Sequence, residues 1–445
     1  MISNLRFKDF FASLISFLTF FLLLLQFTNS YKLLLLIINQ QTYIWSIFLI
    51  IFFSFYIIVN NSKLSFLFKV PIFFHWLCLI FFLPIILLIF HFFLGNISLN
   101  QLIYWLGIYS LAGGMFCSSS ILFFNYNSSS KISIFYISAF IITVFGVWLS
   151  IEYYDIIRAF MTLNRATEDI AFISSEKIRV VGFFDHPNMV SRAFLFSSII
   201  ILGTYFYDKS IYLIILFIVL LLVCILFTGS RTVFILFFLF LMYYFPRIVF
   251  KDVFLLKSKK GYFLQFLTFF TVPIFALLII FIFYLSSSYL SLLGYGDIIN
   301  RFTSLIEFNT NNFDNDVSAN YRYEVIFQYL EYILKSPFFG YGPSLRNDFI
   351  NRGIFSVASQ NQFLEDSFSF GILYVLYFIF VLFKTIYSLP SSFYIFNENK
   401  LLFYKAFLYI VLLYCFSVNY LLINEVYLIA FGSLMGISIL NFNSK

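Results

Sequence analysis

PIFFHWLCLIFFLPIILLIFHFF, residues 71–93, runs 23 residues without an Asp, Glu, Lys or Arg. A helix rises 1.5 Å per residue, so a run of about 20 spans the roughly 30 Å hydrocarbon core of a bilayer. Inside lipid the backbone must satisfy its own hydrogen bonds, which leaves helices and closed barrels. The strict alternation of a barrel strand is absent, so the run reads as a membrane helix. Comparable runs fall at about 10–27, 43–59, 102–124, 132–151, 188–206, 211–228, 232–247, 263–286, 368–388, 402–419 and 424–440. The expected fold is therefore an all-α polytopic membrane protein of about 12 transmembrane helices. Composition agrees: 62% of residues are apolar and 11% charged, against roughly 25% charged in soluble domains. A soluble fold lacks the polar residues to cover that much Phe, Leu and Ile.

The first run follows MISNLRFKDF, as in a signal peptide. It exceeds the usual apolar length and no A-x-A-like site follows, so it reads as an uncleaved anchor. Two polar stretches are too long to be connectors. The chain accordingly divides into N-terminal membrane helices (1–151), a first large loop (152–187), central helices (188–286), a second large loop (287–366) and C-terminal helices (367–445).

Charge sets the expected orientation. With the N-terminal side taken as cytoplasmic, its segments hold 15 Lys/Arg and 4 Asp/Glu, with Arg247, Lys251, Lys257, Lys259 and Lys260 close together. The two large loops hold 9 Lys/Arg and 15 Asp/Glu. By the positive-inside rule both termini are cytoplasmic and both loops face outward, into the periplasm of a bacterium. The net charge of +7 is then a topology signal, and nucleic-acid binding is not expected. Cys78, Cys117, Cys224 and Cys415 all lie in apolar runs, at spacings of neither a zinc site nor a disulfide framework.

The second loop has internal order. In YRYEVIFQYLEYILKS, residues 321–336, Val325, Ile326, Tyr329, Leu330, Ile333 and Leu334 fall at helical spacing. Ser318 or Asn320 is a candidate start cap, and Ser336-Pro337 with Gly340 and Gly342 ends the helix. Such an amphipathic helix suits a position against the membrane or the helix bundle.

Polar residues gather where loops meet spans. KIRVVGFFDHPNMVSR, residues 177–192, brings Lys177, Arg179, Asp185, His186, Asn188 and Arg192 to one boundary, more than interfacial snorkelling requires. Arg231, in TGSR, sits at the outer mouth of a span, which marks either a topology error or a functional cation. Arg322 opens the amphipathic helix and reads either as a solvated face with Glu324 and Gln328 or as a diphosphate ligand, for which the planar guanidinium is suited. Asp314-Asn315-Asp316 has a metal-binding D-x-D form, but its Asn/Asp-rich surroundings produce that pattern by composition. Of three histidines, His75 and His91 share one apolar run and are expected in the bundle; His186 alone has a reactive setting.

Taken in order, RVVGFFDHPNMVSR before a span, GSR opening another, RYEVIFQYL…KSPFFGYG, and SQNQFLEDSFSFG running into the next span resemble the O-antigen polymerase and O-antigen ligase superfamily. The resemblance implies a GT-C-like glycosyltransferase that works without metal or cofactor. Its donor is a glycan on undecaprenyl diphosphate and anomeric configuration is inverted. Arg179 and Arg322, with Arg231 as a further candidate, would hold the diphosphate, and Asn188, Gln360 and Asn361 would touch substrate. The family's His-Asn is here Gln360-Asn361, which removes the expected base. Glu365, Asp366, Glu324 and His186 are the candidate replacements, and a mechanism without a strong base is also open. This departure favours a repeat-unit polymerase for O-antigen or capsule over a ligase acting on lipid A–core, and both over a lipid-linked oligosaccharide flippase. Expected partners are the lipid-linked oligosaccharide as donor and acceptor and the bilayer, with a chain-length regulator protein as a candidate.

Overall fold

The computed structural model describes residues 2–32, 42–124, 128–153, 182–184, 187–205, 211–249, 317–355, 359, 361–392, 398–416 and 421–440. Among them every regular element is helical. In chain order these are α1 (Ile2–Thr28), α2 (Thr42–Val59), α3 (Asn61–Phe68), α4 (Pro71–Leu77), α5 (Leu83–Phe93), α6 (Leu99–Leu122), α7 (Ser128–Glu152) and α8 (Pro187–Thr204). There follow α9 (Ile211–Thr228), α10 (Arg231–Val249), α11 (Val317–Lys335), α12 (Leu345–Asn351), α13 (Gln362–Phe370), α14 (Ile372–Ser392), α15 (Glu398–Cys415) and α16 (Glu425–Leu440). The apolar runs thus appear as helices, apart from 263–286, which lies outside the described residues. Four stretches are long and apolar enough to cross a bilayer: Phe11–Thr28, Pro71–Phe93, Leu99–Leu122 and Ser130–Glu152. A fifth candidate, α2 with α3, is bent by 83° at its break. The remaining apolar helices are shorter.

Within 71–93 a π turn, Cys78–Phe82, joins α4 to α5. Proline at 84 has no N–H to donate, so a wider turn just before it accommodates the missing bond. At the bundle's centre α16 lies against α6. There Gly432 and Gly436 face Ser119 and Ser120, and a Cβ on either would come within 2.0 Å of Ser119 Oγ or 2.3 Å of Ser120 O. Small residues four apart let two membrane helices approach closely, where packing and not the hydrophobic effect holds them together. Cys117, Cys224 and Cys415 are buried free thiols and Cys78 is half-buried.

Three expectations shift. The amphipathic helix begins at Val317, so Ser318 and Asn320 lie in its first turn and do not precede it. Of its apolar positions, Val325, Tyr329 and Ile333 are buried, while Ile326, Leu330 and Leu334 are exposed. The buried stripe is therefore a single i, i+4, i+8 row, packed with Phe355 and Phe368 in a small separate core. The helix expected to start at 368 is two helices: α13 ends at Gly371, whose φ of +88° breaks the helical path, and α14 follows.

Candidate functional site

Asn361 starts α13. Its side-chain oxygen accepts from the backbone N–H of Phe363 at 2.9 Å and of Leu364 at 3.2 Å, a cap that satisfies donors the first turn cannot pair internally. The residue expected to touch substrate thus has its oxygen engaged in starting this helix. One turn later stand Glu365 and Asp366, 1% and 7% exposed.

The two carboxylates have different surroundings. Glu365 Oε1 accepts from the Tyr329 hydroxyl at 2.9 Å, and Arg346 Nη1 lies 3.8 Å away. Tyr329 Oη itself accepts from the Ser359 backbone N–H at 3.3 Å. Burial pushes the Glu365 carboxyl up to about 7, against the opposing pull of the Arg346 charge, the Tyr329 hydrogen bond and the Ser359 backbone. Asp366 has no such cation among the causes acting on it: burial and the Glu365 charge push it up to about 8, with only the Gln362 side chain opposing. Burial and the adjacent Glu365 keep Tyr329 protonated, as a donor. Arg346 and the Tyr329 hydrogen bond thus favour the ionised form of Glu365, while burial and the Glu365 charge favour the protonated form of Asp366, a pair whose environments differ. Glu365 Oε2, Asp366 Oδ2 and Gln362 Nε2 are buried with no protein partner. Three such atoms on one helical turn are exceptional, since buried polar atoms are nearly always paired.

A clasp holds α13 in place. The turn after α11 bonds to the end of α13 and the start of α14: Tyr341 N–H to Phe368 O at 2.8 Å, Gly342 N–H to Ser369 O at 2.9 Å, and Ile372 N–H to Pro337 O at 2.7 Å. Gly371 has no room for a side chain here, because a Cβ would stand 2.0 Å from Phe338 O. The same turn is tied to the bundle. His91 Nε2 donates to Phe339 O at 2.9 Å, and its Nδ1 accepts from Asn96 at 3.1 Å. Trp105 Nε1 donates to Ser344 Oγ at 2.9 Å.

A buried cation adjoins this arrangement. Arg192, on α8, is 9% exposed. Its Nε donates to the Tyr414 hydroxyl at 2.6 Å and its Nη1 to Met189 Sδ at 3.2 Å, and the guanidinium lies over the Tyr414 ring at 5.5 Å. Asn424 Nδ2 also donates to Met189 Sδ, at 3.3 Å. Asn424 follows the turn Leu421–Ile423, and Leu421 N–H donates to the Gln362 side-chain oxygen. One short turn therefore connects the carboxylate helix to the buried arginine.

Of the residues singled out by sequence, Glu365 and Asp366 meet in this site. Glu324 is exposed on α11; five residues before Tyr329, it projects about 140° away from that side chain. Asn188 lies in the first turn of α8, and Arg231 opens α10 at the Gly229 turn, half-buried. Arg322 lies on α11 two turns before Tyr329; its side chain, with Arg179, His186, Gln360, Asp314 and Asp316, falls outside the described residues. Sequence reasoning missed Tyr329, Arg346 and Gln362 as site residues. Tyr329 was visible only as one apolar-stripe residue, and Arg346 carried no signal.

No curated protein and no solved structure matches the chain. Residues 216–379, which hold Arg231, Tyr329, Arg346, Glu365 and Asp366, match the family model described as O-antigen ligase.

Proposed function

We propose that the protein is a repeat-unit polymerase that moves a growing polysaccharide from undecaprenyl diphosphate onto the non-reducing sugar of a new lipid-linked unit. The supporting observation is the buried pair Glu365 and Asp366, in which Tyr329 and Arg346 favour ionisation of the first and nothing comparable favours the second. Glu365 supplies the base that Gln360 cannot. The acceptor hydroxyl oxygen attacks the anomeric carbon opposite the diphosphate and its proton passes to Glu365. The bond from that carbon to the diphosphate oxygen breaks, and the electron pair leaves on the lipid diphosphate. Fixed guanidiniums stabilise that leaving charge without reorganising; Arg192 beside the site, with Arg179, Arg322 and Arg231, are the cations assigned to it. The charge asymmetry of the loops supports a site at the outer face of the inner membrane, with both termini cytoplasmic.

The family description favours a second reading, transfer of finished polymer to lipid A–core. Deletion separates the two. We expect loss of the gene to leave lipid A–core carrying a single repeat unit. Bare core with polymer stranded on the carrier would establish the ligase instead, and unchanged long chains would exclude both.

A further inference from the structure

His75 and Lys384 are ionisable residues on apolar membrane helices, far from the carboxylates. His91, sixteen residues after His75 on the same helical stretch, touches the clasp. Sixteen residues at 1.5 Å make about 24 Å. Lys384 lies thirteen residues beyond Gly371, about 20 Å by the same rise. With a hydrocarbon core of roughly 30 Å, both residues sit near the opposite membrane boundary.

There they form one unit. Lys384 Nζ lies 2.9 Å from His75 Nε2, and His75 Nδ1 lies 2.8 Å from the Tyr377 hydroxyl oxygen. An ammonium can only donate, so Nε2 must accept and the ring proton is on Nδ1. Nδ1 then donates to Tyr377 Oη, and the Tyr377 hydroxyl proton is directed away from the ring. The unit carries a positive charge and a hydroxyl donor. Around it the surface is apolar and outward-facing: Phe74, Phe380, Phe383 and Tyr387 are all exposed, and Lys384 Nζ is 5.5 Å from the Phe380 ring centroid. A lysine that only needed to escape lipid would extend its stem to the interface. This one is held against a histidine by a second helix.

We infer that Lys384, Tyr377 and His75 bind the phosphate of an anionic lipid headgroup in the leaflet opposite the carboxylate site. One phosphate oxygen accepts from the ammonium and another from the tyrosine, while acyl chains lie along the exposed aromatic face. Basic pockets between membrane helices bind lipid headgroups in this way. The inference does not depend on the reaction assigned to Glu365.

The test uses the purified full-length chain in neutral detergent, with bound lipid counted by native mass spectrometry. Phosphatidylglycerol should bind, and phosphatidylcholine, whose phosphate is neutralised by its own choline, should bind more weakly. Lys384→Gln should weaken phosphatidylglycerol about fivefold, the worth of one basic residue at an anionic membrane surface. Tyr377→Phe should weaken it measurably, Lys384→Arg should retain it, and Lys131→Gln on α7 should leave it unchanged. If Lys384→Gln fails to fold, Tyr377→Phe against Lys131→Gln decides. Wild-type affinity in folded Lys384→Gln and Tyr377→Phe would overturn the inference. Displacement by millimolar inorganic phosphate would also overturn it, because the ligand would then be free phosphate.

Discussion

A carboxylate that is 1% exposed is costly to ionise, and Glu365 shows how a neighbouring cation decides where that happens. Its pKa of about 7 is raised from the ordinary 4.5. The folded state therefore binds its proton more tightly than the unfolded chain. That contribution to stability is complete below about pH 4.5 and is lost as pH rises through 7, a swing of roughly 3 kcal/mol. Apparent unfolding midpoints should fall between pH 5 and 8, and Glu365→Gln should flatten that fall; an unchanged slope would mean that Glu365 does not titrate there. As a base Glu365 must be ionised, so polymer formation should rise with pH to a plateau above about 7. Glu365→Gln should lower the rate by roughly 10²–10⁴ at normal protein level. Arg346→Gln tests the positioning group. With the cation removed, burial acts with less opposition and the rising limb should move to higher pH, whereas a structural role alone would lower the rate without moving the limb. Glu365 and Asp366 were legible in the sequence because they follow Gln360-Asn361, where the base is expected. Arg346 was not, because nineteen residues and a folded turn separate it from Glu365, and nothing local marks it.

Elements were legible where periodicity or composition fixes them, and less so where the backbone turns. Apolar length located helices closely: 211–228 in sequence is α9, and 424–440 is α16 beginning one residue later. The π turn before Pro84 and the division of α13 from α14 at Gly371 went unread, because no run of polar residues marks either break, whereas Asn60-Asn61-Ser62-Lys63 marked the helix end at Val59. What divides α13 from α14 is the clasp, which explains why KSPFFGYG and SFSFG, far apart in sequence, occur in one chain: each supplies half of it. Gly371→Ala should therefore cost more than its positive φ alone would. An L residue at φ +88° and ψ 165°, a region essentially restricted to glycine, loses about 1–3 kcal/mol, and here a Cβ 2.0 Å from Phe338 O must also force the two halves of the clasp apart. Gly353, with φ of +70° and open space for 4 Å around the position a Cβ would take, is the control. Gly371→Ala should lower the unfolding midpoint further than Gly353→Ala and abolish polymer formation; equal effects would show that the clasp yields easily.

At the scale of the whole molecule, the two ends of the bundle differ in chemistry. One end carries the clasp, the carboxylates and Arg192. The other carries Lys63, Lys69, His75 and Lys384, since α4 starts about 30 Å of helix before the His91 that touches the clasp. The orientation proposed above puts the end with the buried carboxylates outward and the end with Lys63, Lys69 and Lys384 inward. A donor glycan attached to a membrane-buried carrier would reach Glu365 from that outer side, so orientation and mechanism are linked. Fusing alkaline phosphatase, which folds into its active form only outside the cytoplasm, tests both. A fusion after Asn351, at the end of α12 beside the clasp, should be active. A fusion after Lys257, in the run that holds Lys251, Lys259 and Lys260, should be inactive and protease-resistant in intact cells. The opposite pair of results would put Glu365 on the cytoplasmic side, where the enzyme would meet repeat units before they are flipped, and a polymerase acting on exported units would be excluded however well the carboxylates titrate.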